Sequence, residues 1–428
     1  MDEVRADHIS CYGYKKINTG NIDRIALEGV RFKTCIATSI LTPVSHASLL
    51  SGLYPPSHNL RGPFDKFDSQ TLPKILRNEG YKTAGFVGNS MLGADVGFSL
   101  GFDVFDEPKE GYEFMWELHS YKDPNHPDVR FPWGNWWIDR AIEWIEDNLH
   151  ESFFVFGHFF HTHEGSERQL LEMGLIDRDS PRSEYGYYDE KIKLCDDRFI
   201  STIIRTLQKN GIYDDTTLVI TADHGTTLGE RELPPIPWRE NVTYPQHTTM
   251  YEPDIRVPLI IKDRDLPRNI VIDDPVRHID IFPTLLRLLR IKTPAILDGN
   301  HLIPLIYGEK TNGFKTYIED LFLFRGPGAL QSIRSERFKY IINQTTLEEE
   351  FYDLLKDPKE EENRISDLSL EEKIFVERAR CEAESYYAGH KQKDVIGQDT
   401  ETQEIMERLR ALGYISDVGV STKISNLR

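Results

Sequence analysis

The chain has 428 residues, 39% of them hydrophobic and 11% aromatic, enough for a sizeable core and for a large domain plus a small one. Its formal net charge of −19 argues against a nucleic-acid partner, because binding a polyanion needs basic patches that displace counterions. It leaves room for a small anionic substrate, since a bound cation reverses the local field. The four cysteines, Cys11, Cys35, Cys195 and Cys381, are scattered with no CxxC pair. That pattern fits reduced thiols in a cytoplasmic protein better than a disulfide framework. No apolar run approaches the roughly 18 residues of a membrane span, and no signal-peptide core is present.

In chain order, Asp2 and Glu3 stand side by side at the very start with no strand before them. Residues 21–29 read as a helix, and 32–40 lead into the stretch from Leu41 to Gly52. There Thr42 is expected to be the helix N-cap and Pro43 the first helical residue. Its hydroxyl is either an ordinary cap or a group placed where free N–H groups and the helix dipole favour an anion. Residues 72–78 form a short helix and 81–87 a strand that delivers Asn89 to its end, as a ligand-facing group or a plain turn residue.

Residues 97–134 read as a long insertion or loop. Trp137, Ile138, Ala141, Ile142, Ile145 and Leu149 then recur at helical spacing as core contacts. The buried strand 153–160 runs into His161 and His163. With His158 they make three histidines within six residues, which suggests a site. An amphipathic helix over 192–207 is closed by Asn210 and Gly211. The strand 216–221 ends in Asp223-His224-Gly225, where carboxylate and imidazole adjoin and the glycine lets the backbone turn. That pair suits a hard-to-borderline metal, or marks a turn with an aspartate cap.

His247 precedes a strand over 256–261 and a helix over 280–289. Strands alternating with helices imply a doubly wound α/β fold with a mostly parallel sheet covered on both faces. After about residue 310 the pattern changes to short strands and a Glu/Lys-rich helical tail. The expected organisation is therefore a catalytic α/β domain over 1–308 and a smaller C-terminal α+β domain over 309–428.

Taken together, these stretches resemble the sulfatase-like branch of the alkaline phosphatase superfamily along nearly the whole chain. The resemblance rests on residues 2–8 with Cys11 to Tyr14, Asn21-Ile22-Asp23, Thr42 to Gly52, Tyr81 to Ala84, and Gly101-Phe102-Asp103. It continues in Asp223-His224-Gly225, Tyr251 to Ile261, Asp280 to Leu286, Tyr352-Asp353-Leu354 with Asp357-Pro358, and Leu409 to Ile415. It implies a site at the carboxyl ends of the strands, divalent metal, and a covalent intermediate on a nucleophile at a helix start. Members of the family carry an apolar strand just before the residue matched by Asp2; by this resemblance that strand is expected to be missing here, through either a start placed too late or a loss of the strand.

By the same resemblance Asp2, Asp223 and His224 match metal ligands, Glu3 a second ligating carboxylate, and Thr42 the nucleophile, itself beside the metal. His163 matches the histidine near the leaving group, and His247 falls at a position often held by an anion-binding residue. The implied cofactor is a divalent ion, Zn, Mn, Ca or Mg, one rather than two. A second ion would call on His161, His163 and His247, which do not make up the expected spacing.

The chain departs from the formylglycine type, whose signature is Cys/Ser-x-Pro-x-Arg. Thr42 cannot form that aldehyde, His46 replaces the arginine, and Asn89-Ser90-Met91 replaces a sulfate-gripping Lys-x-His. A threonine nucleophile with Asn89 resembles the superfamily's phosphodiesterases and phosphotransferases. The expected function is hydrolysis of a phosphoester or phosphonate ester through Thr42. The alternatives are a true sulfatase, a soluble phosphotransferase, and a degenerate binding member. The expected partner is a small anionic ester, with no membrane segment and with room for a homo-oligomer.

Overall fold

The computed structural model describes residues 1–107, 136–163 and 248–388 apart from 64, 311–312 and 322–327, together with 166–231 apart from 167–169, 172–173, 178–184 and 186. An α/β part carries two blocks of strands, one all parallel and one mixed. In the first, β2 (Lys82–Val87) lies between β3 (Val104–Asp106) and β4 (Phe153–His158), parallel to both. In the second the order is β5 (Leu218–Thr221), β6 (Arg256–Lys262), β1 (Val30–Ile36) and β7 (Ile270–Ile272), with β8 (Val276–Arg277) also on β1. Strands β7 and β8 run parallel to β1, whereas β6 is antiparallel to both β1 and β5.

The antiparallel β6 has a simple cause. The chain leaves β5 at Thr221 and re-enters the sheet at Arg256, directly after the short helix Glu252–Ile255 and at the same end of the sheet. Entering from the end at which the previous strand finished forces the opposite direction. Phe32, Leu259 and Ile261 are buried in the core between this sheet and its helices.

The helix α1 (Gly20–Glu28) buries Ile22, Ile25 and Ala26, one apolar stripe. Its first turn is capped from outside. The Asn21 and Ile22 N–H groups donate to the Asp196 carboxylate at 3.1 and 2.7 Å. Asp196 belongs to a π-helical turn, Cys195–Ile200, which interrupts the helical run from Tyr188 to Lys209 where a regular helix was expected.

Beyond residue 308 an antiparallel sheet runs β12 (Glu349–Asp353), β11 (Phe338–Asn343), β10 (Leu330–Ser335), β9 (Lys315–Asp320). The helix Leu370–Tyr387, started by a Ser369/Glu372 capping box, packs Val376, Ala379 and Ala383 with Tyr317, Tyr340 and Phe351 of that sheet. Buried charges tie this sheet to the α/β part. Fully buried Lys339 pairs with Glu252 at 2.8 Å and Glu360 at 2.7 Å, and it donates to the Met250 carbonyl.

Burial opposes ionisation of Glu252, but Arg334 and Lys339 outweigh it and hold the carboxyl well below its ordinary 4.5. Its stabilising contribution is therefore present above pH 4.5 and is lost as pH falls below it. Lys339→Met should cost about 3–5 kcal/mol, because it strands Glu360 in the interior. Urea unfolding at neutral pH checks this; a loss below 1 kcal/mol would show the ion pair to be dispensable.

Candidate active site

Three segments converge at the ends of β4 and β5. The Met1 amino group donates to the Thr221 carbonyl and the Asp2 N–H to the Phe159 carbonyl, both at 3.0 Å; the Asp223 N–H donates to Met1 at 3.2 Å. Residues 1 and 2 thus bridge the two strand ends. Glu3 follows with φ of +55°, a left-handed conformation that costs a non-glycine residue about 1–3 kcal/mol. In an extended chain Asp2 and Glu3 would face opposite sides. With this turn, both offer an oxygen to a cluster with His163, the three ligand atoms lying within 4.8 Å of one another.

The second segment is α2 (Thr42–Ser51). Leu41, extended, is the N-cap, Thr42 the first helical residue and Pro43 the second, one position later than expected. The Thr42 hydroxyl is consequently not spent on capping its own helix. Its Oγ1 lies 3.3 Å from His224 Nε2 and is buried. Ser45 stitches the helix to the end of β5 by donating to the Asp223 carbonyl at 2.6 Å. His46 Nδ1 sits 2.8 Å from the Thr42 carbonyl, one turn back.

The third segment is Asp223-His224-Gly225. A Cβ on Gly225 would lie 2.1 Å from the Pro253 carbonyl oxygen, so only glycine fits this turn. Asp223 Oδ1 accepts from the N–H groups of Glu3 and His224, at 3.1 and 2.8 Å. Its Oδ2 is 3.5 Å from His224 Nε2 and 3.7 Å from His46 Nδ1 and has no hydrogen-bond partner. The His224 Nδ1 faces the Gly225 carbonyl at 2.8 Å, an acceptor that requires a proton there and turns Nε2 towards Thr42.

Burial, and then the charge of Asp223, push the Asp2 carboxyl up to about 8. Burial would also raise Asp223, but His224, His46 and His158 outweigh it and hold that carboxyl below its ordinary range. Burial disfavours protonation of His224, yet Asp223, Asp2 and Glu3 draw its value up. Buried carboxylates that crowd one another this way call for a cation. Both oxygens of Asp2 and Oδ2 of Asp223 are buried without hydrogen-bond partners, and Asp2, Asp223 and His224 bring ligand atoms within 4.8 Å of each other. This oxygen-rich set with one imidazole fits a divalent metal ion.

The structure therefore gathers Asp2, Glu3, Thr42, Asp223 and His224 at one point, and His163 joins through Glu3, 3.1 Å from its carboxylate. Asn89 stands buried at the end of β2, where its Oδ1 accepts from the Met91 N–H at 2.9 Å. That turn cap fixes the side chain and leaves the amide N–H₂ as a donor. His161 is in none of the ligand clusters; its ring packs against Phe159 and Phe199. His247 lies outside the described residues.

His46, His158 and His278 are buried beside this centre; the sequence marked His158 only as one of three strand-end histidines and His46 only as the replacement for an arginine, and gave His278 no role. The signal for His158 was its place at the end of a buried strand, and for His46 its i+4 position from Thr42 on α2. His278 carried no local signal, being brought in by tertiary packing with its Nδ1 3.4 Å from Ser45 Oγ.

The sulfatase family model matches residues 1–291, and a model of the N-sulphoglucosamine sulphohydrolase C-terminal region matches residues 242–380. An uncharacterized sulfatase of Escherichia coli, YidJ, is 25% identical over 427 residues, covering 86% of this chain and 82% of its own. An arylsulfatase of Clostridium perfringens is 23% identical, covering 91% and 95%. Among solved structures, a phosphonate monoester hydrolase of Agrobacterium radiobacter superposes with a TM-score of 0.68 at 22% identity, covering 91% of this chain and 94% of that one. A protein solved with its substrate D-glucosamine-2-N,6-O-disulfate gives 0.67 at 18% identity, covering 92% and 98%. These superpositions carry the α/β fold with its smaller C-terminal part. With the family model spanning most of its length, the chain belongs to the sulfatase family.

Proposed function

We propose that this protein is a divalent-metal-dependent ester hydrolase that cleaves a phosphoester or phosphonate ester through a covalent intermediate on Thr42. The observation that carries the reading is the buried Thr42 hydroxyl, 3.3 Å from His224 Nε2, at the start of α2. The candidate ion ligands are Asp2, Asp223 and His224, with Glu3 beside them. When bound, the ion supplies positive charge that lowers the pKa of a hydroxyl beside it and offsets the negative charge of the substrate.

In the reaction Thr42 Oγ forms a bond to phosphorus as the bond to the leaving oxygen breaks in line, and the hydroxyl proton leaves to solvent. The leaving oxygen takes a proton from His163 or His247. The Asn89 amide and the first-turn N–H groups of α2 donate to the equatorial oxygens. Water then cleaves the Thr42 ester and releases the acid.

Sulfate-ester hydrolysis is the second reading, supported by relatives named as sulfatases. Thr42 is not a residue that gives formylglycine, and the loss of the arginine and Lys-x-His contacts weakens the grip on sulfate, so phosphorus is favoured. Aryl phosphate monoester, phosphate diester, phosphonate monoester and sulfate ester, assayed in parallel with added Zn, Mn, Ca or Mg, test the choice. The highest kcat/KM should fall on a phosphorus ester. A sulfate ester turned over faster than all three would overturn it.

A further inference from the structure

The buried centre holds a further group of candidate ligand residues, His46, His158 and Asp223. His158, the last residue of β4, is 1% exposed, and neither of its ring nitrogens has a hydrogen-bond partner. Its Nε2 stands 3.1 Å from Asp2 Oδ2 without hydrogen-bond geometry. The His46 ring lies edge-on to it, centroids 4.8 Å apart. His46, His158 and Asp223 bring one ligand atom each within 4.8 Å of one another, and they share only Asp223 with the cluster of Asp2, Asp223 and His224.

Two further features point to a cation there. His46 Nδ1 at 2.8 Å from the Thr42 carbonyl fixes the proton on that nitrogen, which leaves Nε2 with a bare lone pair; a metal-ligating histidine is commonly oriented by such a bond. Finally, donor atoms bound to one ion at about 2.0–2.2 Å stand roughly 3–3.5 Å apart, and the ligand atoms of His46, His158 and Asp223 lie within 4.8 Å of one another. A hydrogen bond does not account for the His158 contact, and an orphaned buried nitrogen costs about 1–3 kcal/mol.

We propose that the centre holds two divalent cations, the second bound by His46, His158 and Asp223, with the Asp223 carboxylate shared between them. Two imidazoles and one carboxylate favour Zn²⁺ or Mn²⁺ over Ca²⁺ or Mg²⁺ in that second position. His46 thereby replaces the fixed positive charge of an arginine with an exchangeable one. The inference rests on the assignment of Asp2, Asp223 and His224 to a first ion.

The full chain, stripped with chelator, reloaded with Zn²⁺ and desalted, is analysed for metal per chain; a parallel Mn²⁺ sample is read by electron paramagnetic resonance. About two equivalents and an exchange-coupled Mn²⁺ signal are expected. His46→Ala and His158→Ala should each hold about one equivalent and lose the coupling. His46→Arg, which fills the position with a fixed charge, should also hold about one. One equivalent in the native chain, with an isolated Mn²⁺ signal, would overturn the second site and leave the first standing. No retained metal would overturn both. Because the native count decides, a variant that fails to fold does not rescue the proposal.

Discussion

Thr42→Ala should lower turnover of the best ester substrate by about 10⁴-fold or more, while metal content and melting temperature stay near native. The side chain is buried in the first turn of α2, yet the helix does not depend on its hydroxyl: Leu41 holds the cap position and makes no side-chain cap bond. Alanine has the higher helix propensity, and the small void left by one hydroxyl and one methyl lies beside the substrate site. The substitution thus separates chemistry from folding. Thr42→Ser, which keeps the oxygen, should recover activity well above the alanine variant. Rapid quenching of the native enzyme with substrate should show mass added on the peptide containing Thr42. If Thr42→Ala kept native kcat, the covalent mechanism would fall, and the hydroxyl would be only a neighbour of His224.

Much of this site was legible because its parts sit where local sequence rules put them. Thr42-Pro43 marks a helix start, Asp223-His224-Gly225 follows a strand, and Gly225 is needed because any Cβ meets Pro253. The boundary at Thr42 was misplaced by one residue because cap preference and the first helical position compete for a threonine followed by proline. The antiparallel course of β6 was not legible, since its apolar run reads the same in either direction. Nor was the π turn at Cys195–Ile200, whose Asp196 caps the start of α1, 174 residues away in the chain.

The clustering of histidines was the hardest part to foresee. His46 comes from α2, His158 from the end of β4, and His278 from the turn after β8, so no spacing rule joins them. The positive φ of Glu3 was equally hidden, although it is what lets two consecutive carboxylates serve one centre. Such features arise from the sheet's convergence and are read only once the strands are placed.

Asp223→Asn should be the most damaging single change to metal binding. In the native chain one oxygen accepts two backbone N–H groups, from Glu3 and His224, and the other lies between His224 and His46. Asparagine keeps the size and one acceptor. It places an N–H₂ donor or a neutral oxygen where an anionic carboxylate oxygen stood, and it takes one negative charge from the candidate metal centre. Saturating metal stabilises a folded protein by about 4 kcal/mol at a thousandfold excess over Kd. The native chain should therefore melt several degrees higher with Zn²⁺ than after chelation. In Asp223→Asn that metal-dependent shift should nearly vanish, and kcat/KM should fall by about 10³–10⁴-fold, or about 4–5.5 kcal/mol of transition-state stabilisation. Paired melting curves with and without Zn²⁺ read the first effect apart from the second. A native-sized Zn²⁺ shift in the variant would remove Asp223 from both ligand sets, and the shared-carboxylate centre with it.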